Sequence, residues 1–162
     1  MKIRRITSLI AAAAFGVGIG AVVVTTSGAS AAASTTVHVQ EVATNATYVP
    51  VQQLLASKSQ TNRGDYIAFN DRLYFPSTGT RAGTVEGDCV LTAPTASLFY
   101  CTVDFILSGK GRITAVGLFD ATGKTTTTGA VTGGTGNYAL ARGTVRVRAI
   151  SQTKNDFVFK IS

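Results

Sequence analysis

The sequence predicts an all-β fold, an eight-stranded antiparallel β-barrel, preceded by an N-terminal export signal. Val, Thr, Tyr and Phe recur in short runs broken by Gly, Asn, Asp and Pro, which is typical of strands and turns. No long stretch shows the 3.6-residue periodicity of a helix. The short connections imply antiparallel neighbours, and closing eight strands into a barrel leaves no exposed sheet edge. A two-sheet sandwich is the alternative.

The first 31 residues are typical of a signal peptide. Three basic residues precede an apolar stretch from residue 6 to residue 24, and small residues follow it as far as Ala31. We expect cleavage after Ala31, with Ala33 as the alternative site. An uncleaved membrane anchor is the competing interpretation, because the apolar run approaches the roughly 20 residues that span a bilayer. The sequence therefore predicts a secreted protein with a signal peptide at 1–31 and a single barrel domain at 32–162.

The charge of the mature chain is mildly basic. Cleavage after Ala31 removes three of the 15 basic residues and none of the eight acidic ones, so the net charge falls from +7 to +4. The remaining cations are spread along the sequence, whereas nucleic-acid-binding proteins concentrate them in one patch. We expect no nucleic-acid partner and no stable membrane insertion after cleavage.

The mature chain has two cysteines, Cys89 and Cys101. Export places them where disulfides persist, so we expect them to be bonded. Their pairing centres a hairpin turn on Thr95 and places Leu91 opposite Phe99, with both sulfurs on one face of the hairpin. One histidine and two cysteines twelve positions apart lack the spacing of a zinc site. We therefore expect no metal and no other cofactor.

The strands follow one another with turn residues between them. The segment 44–62 is the longest connection; it contains Pro50, could include a helical turn at 52–57, and is a candidate lid. The run 133–136, rich in glycine, predicts a tight hairpin, and Gly143 predicts a bulge or a barrel bend inside a long strand. The eight predicted strands are 37–43, 66–75, 83–92, 98–107, 112–119, 125–131, 138–150 and 157–161.

Two carboxylates fall on the apolar face of their predicted strands. Side chains alternate between the faces of a strand, which places Asp71 beside Phe69 and Leu73, and Glu41 beside Val39. A carboxylate in an apolar interior is costly unless it is paired, and burial raises its pKa towards values useful in acid–base catalysis. Glu41 and Asp71 are therefore candidate catalytic residues. Alternatively, a strand assignment is off by one residue, or each acid pairs at the rim with an arginine such as Arg72 or Arg142.

The other ionisable residues give no catalytic pattern. Glu86, Asp88 and Asp104 alternate to the solvent-facing side, and so does His38, the single histidine. A Ser–His–Asp triad would need that histidine inside, and the chain has no Gly-x-Ser-x-Gly motif.

Four sequence blocks resemble a known superfamily. Residues 131–138 (VTGGTGNY) and 141–143 (ARG) resemble the turn and strand shared by allene oxide cyclases and dirigent proteins. Residues 64–74 (GDYIAFNDRLY) and 87–91 (GDCVL) extend the likeness to the allene oxide cyclases. The resemblance implies an eight-stranded barrel with a ligand cavity, in agreement with the fold inferred from the strand pattern. Trimers are known in both families, so a homo-oligomer is compatible with the resemblance, and the oligomeric state stays open at this point.

Individual cyclase positions carry over to this chain. Glu41 matches the first-strand glutamate that faces the epoxide, Pro50 the proline nine residues later, and Cys89 the cavity cysteine. The chain departs from the cyclases at three polar positions that hold a water there, where it has Ala43, Val49 and Asp71 instead of asparagine, serine and asparagine.

The resemblance implies a barrel that binds a hydrophobic small molecule. One hypothesis is a cyclase-like isomerase in which Glu41 stabilises developing positive charge and Asp71 orients a water or acts as a general acid. A second is a dirigent-like or carrier protein without catalysis of its own, and a third is a structural surface protein. The phenylalanines either line an open cavity or fill it. The candidate ligand-binding residues are Pro50, Phe69, Cys89, Phe105 and Phe119.

Overall fold

A computed structural model describes residues 34–49 and 63–162. Helical structure in these residues is limited to short 3₁₀ turns, at Pro94–Ala96 and Gly136–Tyr138, and none of it is long or apolar enough to cross a membrane. The strands in this part of the chain are β1 (Thr35–Val42), β2 (Ala46–Val49), β3 (Tyr66–Tyr74), β4 (Arg81–Ala93), β5 (Leu98–Leu107), β6 (Gly111–Asp120), β7 (Thr127–Gly134), β8 (Gly143–Ser151) and β9 (Lys154–Ile161).

Eight of these strands close into an antiparallel barrel. Their order is β1-β9-β8-β7-β6-β5-β4-β3, and pairing of β1 with β3 completes the ring. The extra strand, β2, pairs with the first half of β3, beside the stretch that pairs with β1. β1 and β2 thus share one edge of β3, with a break at residues 43–45. The predicted eight-stranded barrel is confirmed, and β2 is an addition to it.

The largest differences from the predicted strands concern β2, β8 and β9. β2 lies inside the segment predicted to be a connection, and β9 begins at Lys154 rather than at residue 157. β8 begins at Gly143 rather than at residue 138, because Gly136–Tyr138 forms a 3₁₀ turn. Gly143 has φ +144°, and a Cβ there would lie 2.0 Å from the carbonyl oxygen of Lys160, so only glycine fits this close approach. Pro50, the remainder of the candidate lid and the signal peptide lie outside the described residues.

The hairpin of β4 and β5 has the predicted register. Cys89 pairs with Cys101 and Leu91 with Phe99, and a disulfide joins the two cysteines across a Cα–Cα distance of 4.0 Å. The connection is a bulge at the end of β4 followed by the 3₁₀ turn at Pro94–Ala96. The disulfide therefore ties neighbouring strands of the barrel wall together on its inner face.

The interior of the barrel is packed at one end and open at the other. Buried side chains such as Ile113, Leu107 and Phe159 fill the end where β6 begins. In the middle, the Phe105 ring packs edge-on against those of Phe157 and Phe159, with centroids 4.8 Å apart in both pairs. At the other end a smaller apolar cluster surrounds the disulfide. The space left at this end forms the cavity described next.

Candidate functional site

A cavity of about 280 Å³ lies inside the open end of the barrel. Its wall is mostly apolar and includes the Cys89–Cys101 disulfide, and its polar side chains are Glu41, Asp71, Gln152 and Asn155. Five phenylalanines contribute to the wall: Phe69, Phe99, Phe105, Phe119 and Phe157. The lining is therefore an aromatic and aliphatic surface interrupted by one small polar group of side chains.

Glu41 sits at the centre of that polar group. β1 directs its side chain inwards, where it is 4 % exposed, and the Asn155 amide nitrogen donates a hydrogen bond of 2.6 Å to its Oε2. Burial raises the pKa of Glu41 from 4.5 to about 7. The hydrogen bond from Asn155 works against this rise, while the charge of Asp71 and a hydrogen bond with its carboxyl group add to it. Glu41 can therefore both donate and accept a proton near neutral pH.

Asp71 is the second buried carboxylate, at 2 % exposure. Glu41 pairs with Leu73 across β1 and β3, which makes Asp71 its diagonal neighbour. The Asp71 Oδ1 atom accepts hydrogen bonds from the backbone N–H of Thr44 (2.5 Å) and Asn45 (2.8 Å) and from the Thr44 hydroxyl (3.2 Å). Asp71 therefore holds the break between β1 and β2 in shape. Its other oxygen, Oδ2, is buried and has no hydrogen-bond partner among the described residues.

The structure does not support the alternative in which each of these acids pairs with an arginine. Within residues 34–49 and 63–162, neither Glu41 nor Asp71 forms an ion pair. Arg72 is exposed, and the Arg142 guanidinium donates to the carbonyl oxygen of Ala141. Both carboxyl groups instead line the same mostly apolar cavity, and this environment favours the neutral form of Glu41.

Four of the five predicted ligand-binding residues line the cavity: Phe69, Cys89, Phe105 and Phe119. Cys89 contributes a disulfide sulfur rather than a thiol. The fifth, Pro50, lies outside the described residues. The aromatic rings surround the cavity without filling it. Roles of these residues in ligand binding, and of Glu41 and Asp71 in catalysis, stay predictions.

Sequence reasoning missed Asn155, together with Phe157 beside it on the cavity wall. Both lie on the inner face of β9, which the prediction began two residues too late to include Asn155. Alternation carried back from Phe159 through Phe157 would have placed Asn155 inside. The signal was present, but the three polar residues at the start of the strand obscured it.

Three other carboxylates have structural partners. Asp156 contacts the His38 ring (Nε2–Oδ1 2.7 Å) on the outer face, and Asp104 accepts from Arg112 at 3.0 Å. Asp120 accepts from the backbone and hydroxyl groups of residues 122 and 125, which lower its pKa to about 2 and fix the turn after β6. No group of three or more His, Cys, Asp or Glu side chains is arranged to hold a metal in the described part of the chain.

The fold and the cavity define a small antiparallel barrel with an internal site the size of a small molecule. Residues 25–162 match the family model for dirigent-like proteins, and the chain belongs to this family. No curated protein matches it significantly.

Several solved structures share the barrel. A structure titled "Pyocyanin demethylase" is 25 % identical, covers 79 % of this chain and 100 % of its own, and has a TM-score of 0.65. A pterocarpan synthase dirigent protein is 16 % identical, with coverages of 80 % and 94 % and a TM-score of 0.63. AbnU, described as an exo-specific intermolecular Diels-Alderase, is 18 % identical, with coverages of 80 % and 98 % and a TM-score of 0.58. The last two likenesses concern the fold alone.

Proposed function

We propose that this chain is an exported dirigent-like barrel that binds a hydrophobic small molecule in its cavity and transfers a proton to or from it at Glu41. The observation that carries the proposal is a buried carboxyl group with a pKa of about 7 inside an apolar cavity of about 280 Å³. Small-molecule pockets span roughly 300–1,000 Å³, so this one suits a ligand of two or three fused rings. A barrel with a purely structural role requires neither a buried ionisable group nor an internal cavity.

The proposed chemistry is confinement combined with acid–base transfer. The rigid strands hold a flexible or reactive ligand in one conformation, which reduces the entropy lost on reaching the transition state. Protonated Glu41 donates its proton to one atom of the ligand, and the resulting carboxylate removes a proton from another atom. Such an isomerisation leaves Glu41 in its starting state. Asn155 holds the carboxyl group in place, and Asp71 disfavours its ionised form.

Similarity to the pyocyanin demethylase supports a ligand with fused aromatic rings. The match spans the whole of that chain at 25 % identity, and pyocyanin is a phenazine, a flat three-ring heteroaromatic compound. The name of AbnU also describes a reaction of small conjugated molecules, although its similarity concerns only the fold.

A second candidate function is binding or guidance without catalysis. The family description and the pterocarpan synthase dirigent protein favour it. In this case Glu41 orients a ligand whose reaction begins elsewhere. The two candidates differ in one measurable respect, namely whether purified protein alone converts the ligand.

Export is part of the proposal and rests on the signal-like residues 1–31. The test is the intact mass of the protein recovered from the culture medium. A chain beginning at residue 32 or at residue 34 supports export with cleavage, and a full-length chain retained with the cells contradicts it.

The function is tested by native mass spectrometry of the secreted protein, followed by identification of any molecule released on unfolding. We expect a bound apolar compound. That compound is then incubated with the wild type, with Glu41→Gln and with the control Glu86→Gln, which alters a partly exposed carboxylate on the outer face of β4. Loss of turnover in Glu41→Gln alone, with binding retained, supports catalysis. If the wild type and both variants bind the compound without converting it, the protein is a carrier. If the wild type binds neither a released compound nor phenazine, the proposal is contradicted.

A further inference from the structure

We propose that the cavity selects cationic heteroaromatic ligands over anionic ligands of the same size. This inference rests on the proposed ligand-binding function and adds the charge of the ligand to it. Two independent features of the cavity wall carry it: the signs of its ionisable groups and the number of its aromatic rings.

The ionisable side chains of the described cavity wall are both acids. β1 contributes Glu41 and β3 contributes Asp71, while β9 and the turn before it contribute the neutral amides of Asn155 and Gln152. Among the described lining residues there is no Arg, Lys or His. A ligand carboxylate or phosphate would therefore enter an apolar site without a counter-charge, which is strongly unfavourable. A ligand cation would meet two carboxyl groups.

The phenylalanine rings favour the same charge. The face of an aromatic ring carries negative electrostatic potential, and cations placed over it are attracted, most strongly where water is excluded. Five phenylalanines line this cavity. Aromatic cages are a common means by which proteins recognise quaternary ammonium groups.

The charges of the cavity wall also argue against one form of the cyclase-like hypothesis. A fatty-acid substrate of a cyclase-like isomerase would end in a carboxylate. In this cavity the carboxylate would find no basic partner among the described lining residues. The inferred ligand class is therefore a flat ring system with a quaternary or protonated nitrogen.

The test uses three probes of one shape and different charge: N-methylphenazinium, phenazine and phenazine-1-carboxylate. Binding of each to the secreted protein is measured by calorimetry at about pH 8, where Glu41 is largely ionised. We expect N-methylphenazinium to bind about tenfold more tightly than phenazine, and phenazine-1-carboxylate to bind most weakly. The preference for the cation should shrink as the pH is lowered through 7, because Glu41 becomes protonated. Asp71 is the other ionisable side chain of the described cavity wall.

Two variants make the test specific. Glu41→Gln should reduce the preference for N-methylphenazinium over phenazine, leaving the part that comes from Asp71 and the aromatic rings, and Glu86→Gln should leave the whole preference intact. If Glu41→Gln fails to fold, titration of the wild type between about pH 5.5 and 8 gives the same comparison.

The outcomes separate this inference from the function on which it rests. Equal binding of all three probes, or tightest binding of phenazine-1-carboxylate, overturns the charge selectivity while leaving a ligand-binding barrel. Recovery of an anionic natural ligand does the same. Failure of all three probes to bind overturns both proposals.

Discussion

Glu41 binds its proton more tightly in the folded protein than in the unfolded chain. Its pKa is about 7 in the fold against 4.5 for a free glutamate. Between these values the native state holds more protons than the unfolded state, so the free energy of unfolding falls as the pH rises through this window. The carboxyl group therefore destabilises the barrel at alkaline pH, which is consistent with retention for function rather than for stability.

Glu41→Gln should remove this dependence. We expect the variant to be more stable than the wild type at about pH 8, by up to about 3 kcal/mol, and to differ little at about pH 4. Urea denaturation at both pH values measures the effect, with Glu86→Gln as the control. Destabilisation at both values would show that Glu41 is a structural partner of Asn155 instead.

Asp71 has a different task, because its Oδ1 satisfies two backbone N–H groups at the break between β1 and β2. Asp71→Ala should leave both donors without this partner and destabilise the protein by about 1–3 kcal/mol. Asp71→Asn keeps an acceptor oxygen and should cost less. Amide hydrogen exchange at Thr44 and Asn45 provides the local readout. Unchanged exchange in Asp71→Ala would contradict the role assigned to this carboxylate.

At the scale of elements, the β4–β5 hairpin carries the Cys89–Cys101 disulfide and forms part of the cavity wall. Non-reducing peptide mapping of the protein, purified without reductant, should show Cys89 linked to Cys101. Replacing both cysteines by alanine should destabilise the protein by about 3 kcal/mol, the chain-entropy value for a loop of this size. Two free thiols in the wild type would contradict the register of the hairpin.

Elements with a sustained period of two were predicted correctly from the sequence. In β3 the alternation of Ile67, Phe69, Asp71 and Leu73 was sufficient to place Asp71 inside the barrel. In β4 and β5 the cysteine spacing defined the register. β2 was missed because four residues give too short a pattern to distinguish a strand from a connection. β8 was extended too far because only the three-dimensional contact at Gly143 reveals where pairing starts.

The site was only partly predictable, since its contacts join residues far apart in the sequence. Alternation placed Glu41 and Asp71 on inner faces but could not show that Asp71 binds the backbone of Thr44 and Asn45. It also could not show that Asn155, 114 positions from Glu41, donates to its carboxyl group. Those partners depend on the closure of the barrel, which brings β1 between β3 and β9.

At the scale of the whole molecule, closure also organises the outer surface. Cations that are spread along the sequence meet on the outer faces of β8 and β9, at Arg146, Arg148, Lys154 and Lys160. On the opposite side of the ring, β4 and β5 carry Glu86, Asp88 and Asp104. On the same side of the barrel, five apolar residues pair with one another across successive strands and form an apolar row. They are Val49, Tyr66, Val90, Tyr100 and Leu118.

We expect a second copy of this chain to cover the apolar row. Aromatic side chains at the centre of such rows often dominate an interface, and the oppositely charged faces favour contact between copies. Tyr100→Lys should shift the protein towards monomer in sedimentation velocity experiments. Leu140→Lys is the control, because Leu140 is 88 % exposed in the loop before β8. A wild type that is monomeric at about 100 µM, well above a typical interface Kd, contradicts this expectation.

The central claim is that a small molecule binds inside the barrel, and amide chemical shifts recorded during titration with phenazine test it most directly. The account predicts that the largest changes occur at cavity-wall residues such as Ala115, Gly117 and Gly129, with none at Lys160 on the outer basic face, whose chain neighbours do not line the cavity. Changes confined to outer-face residues, or no changes up to saturating phenazine, would contradict it.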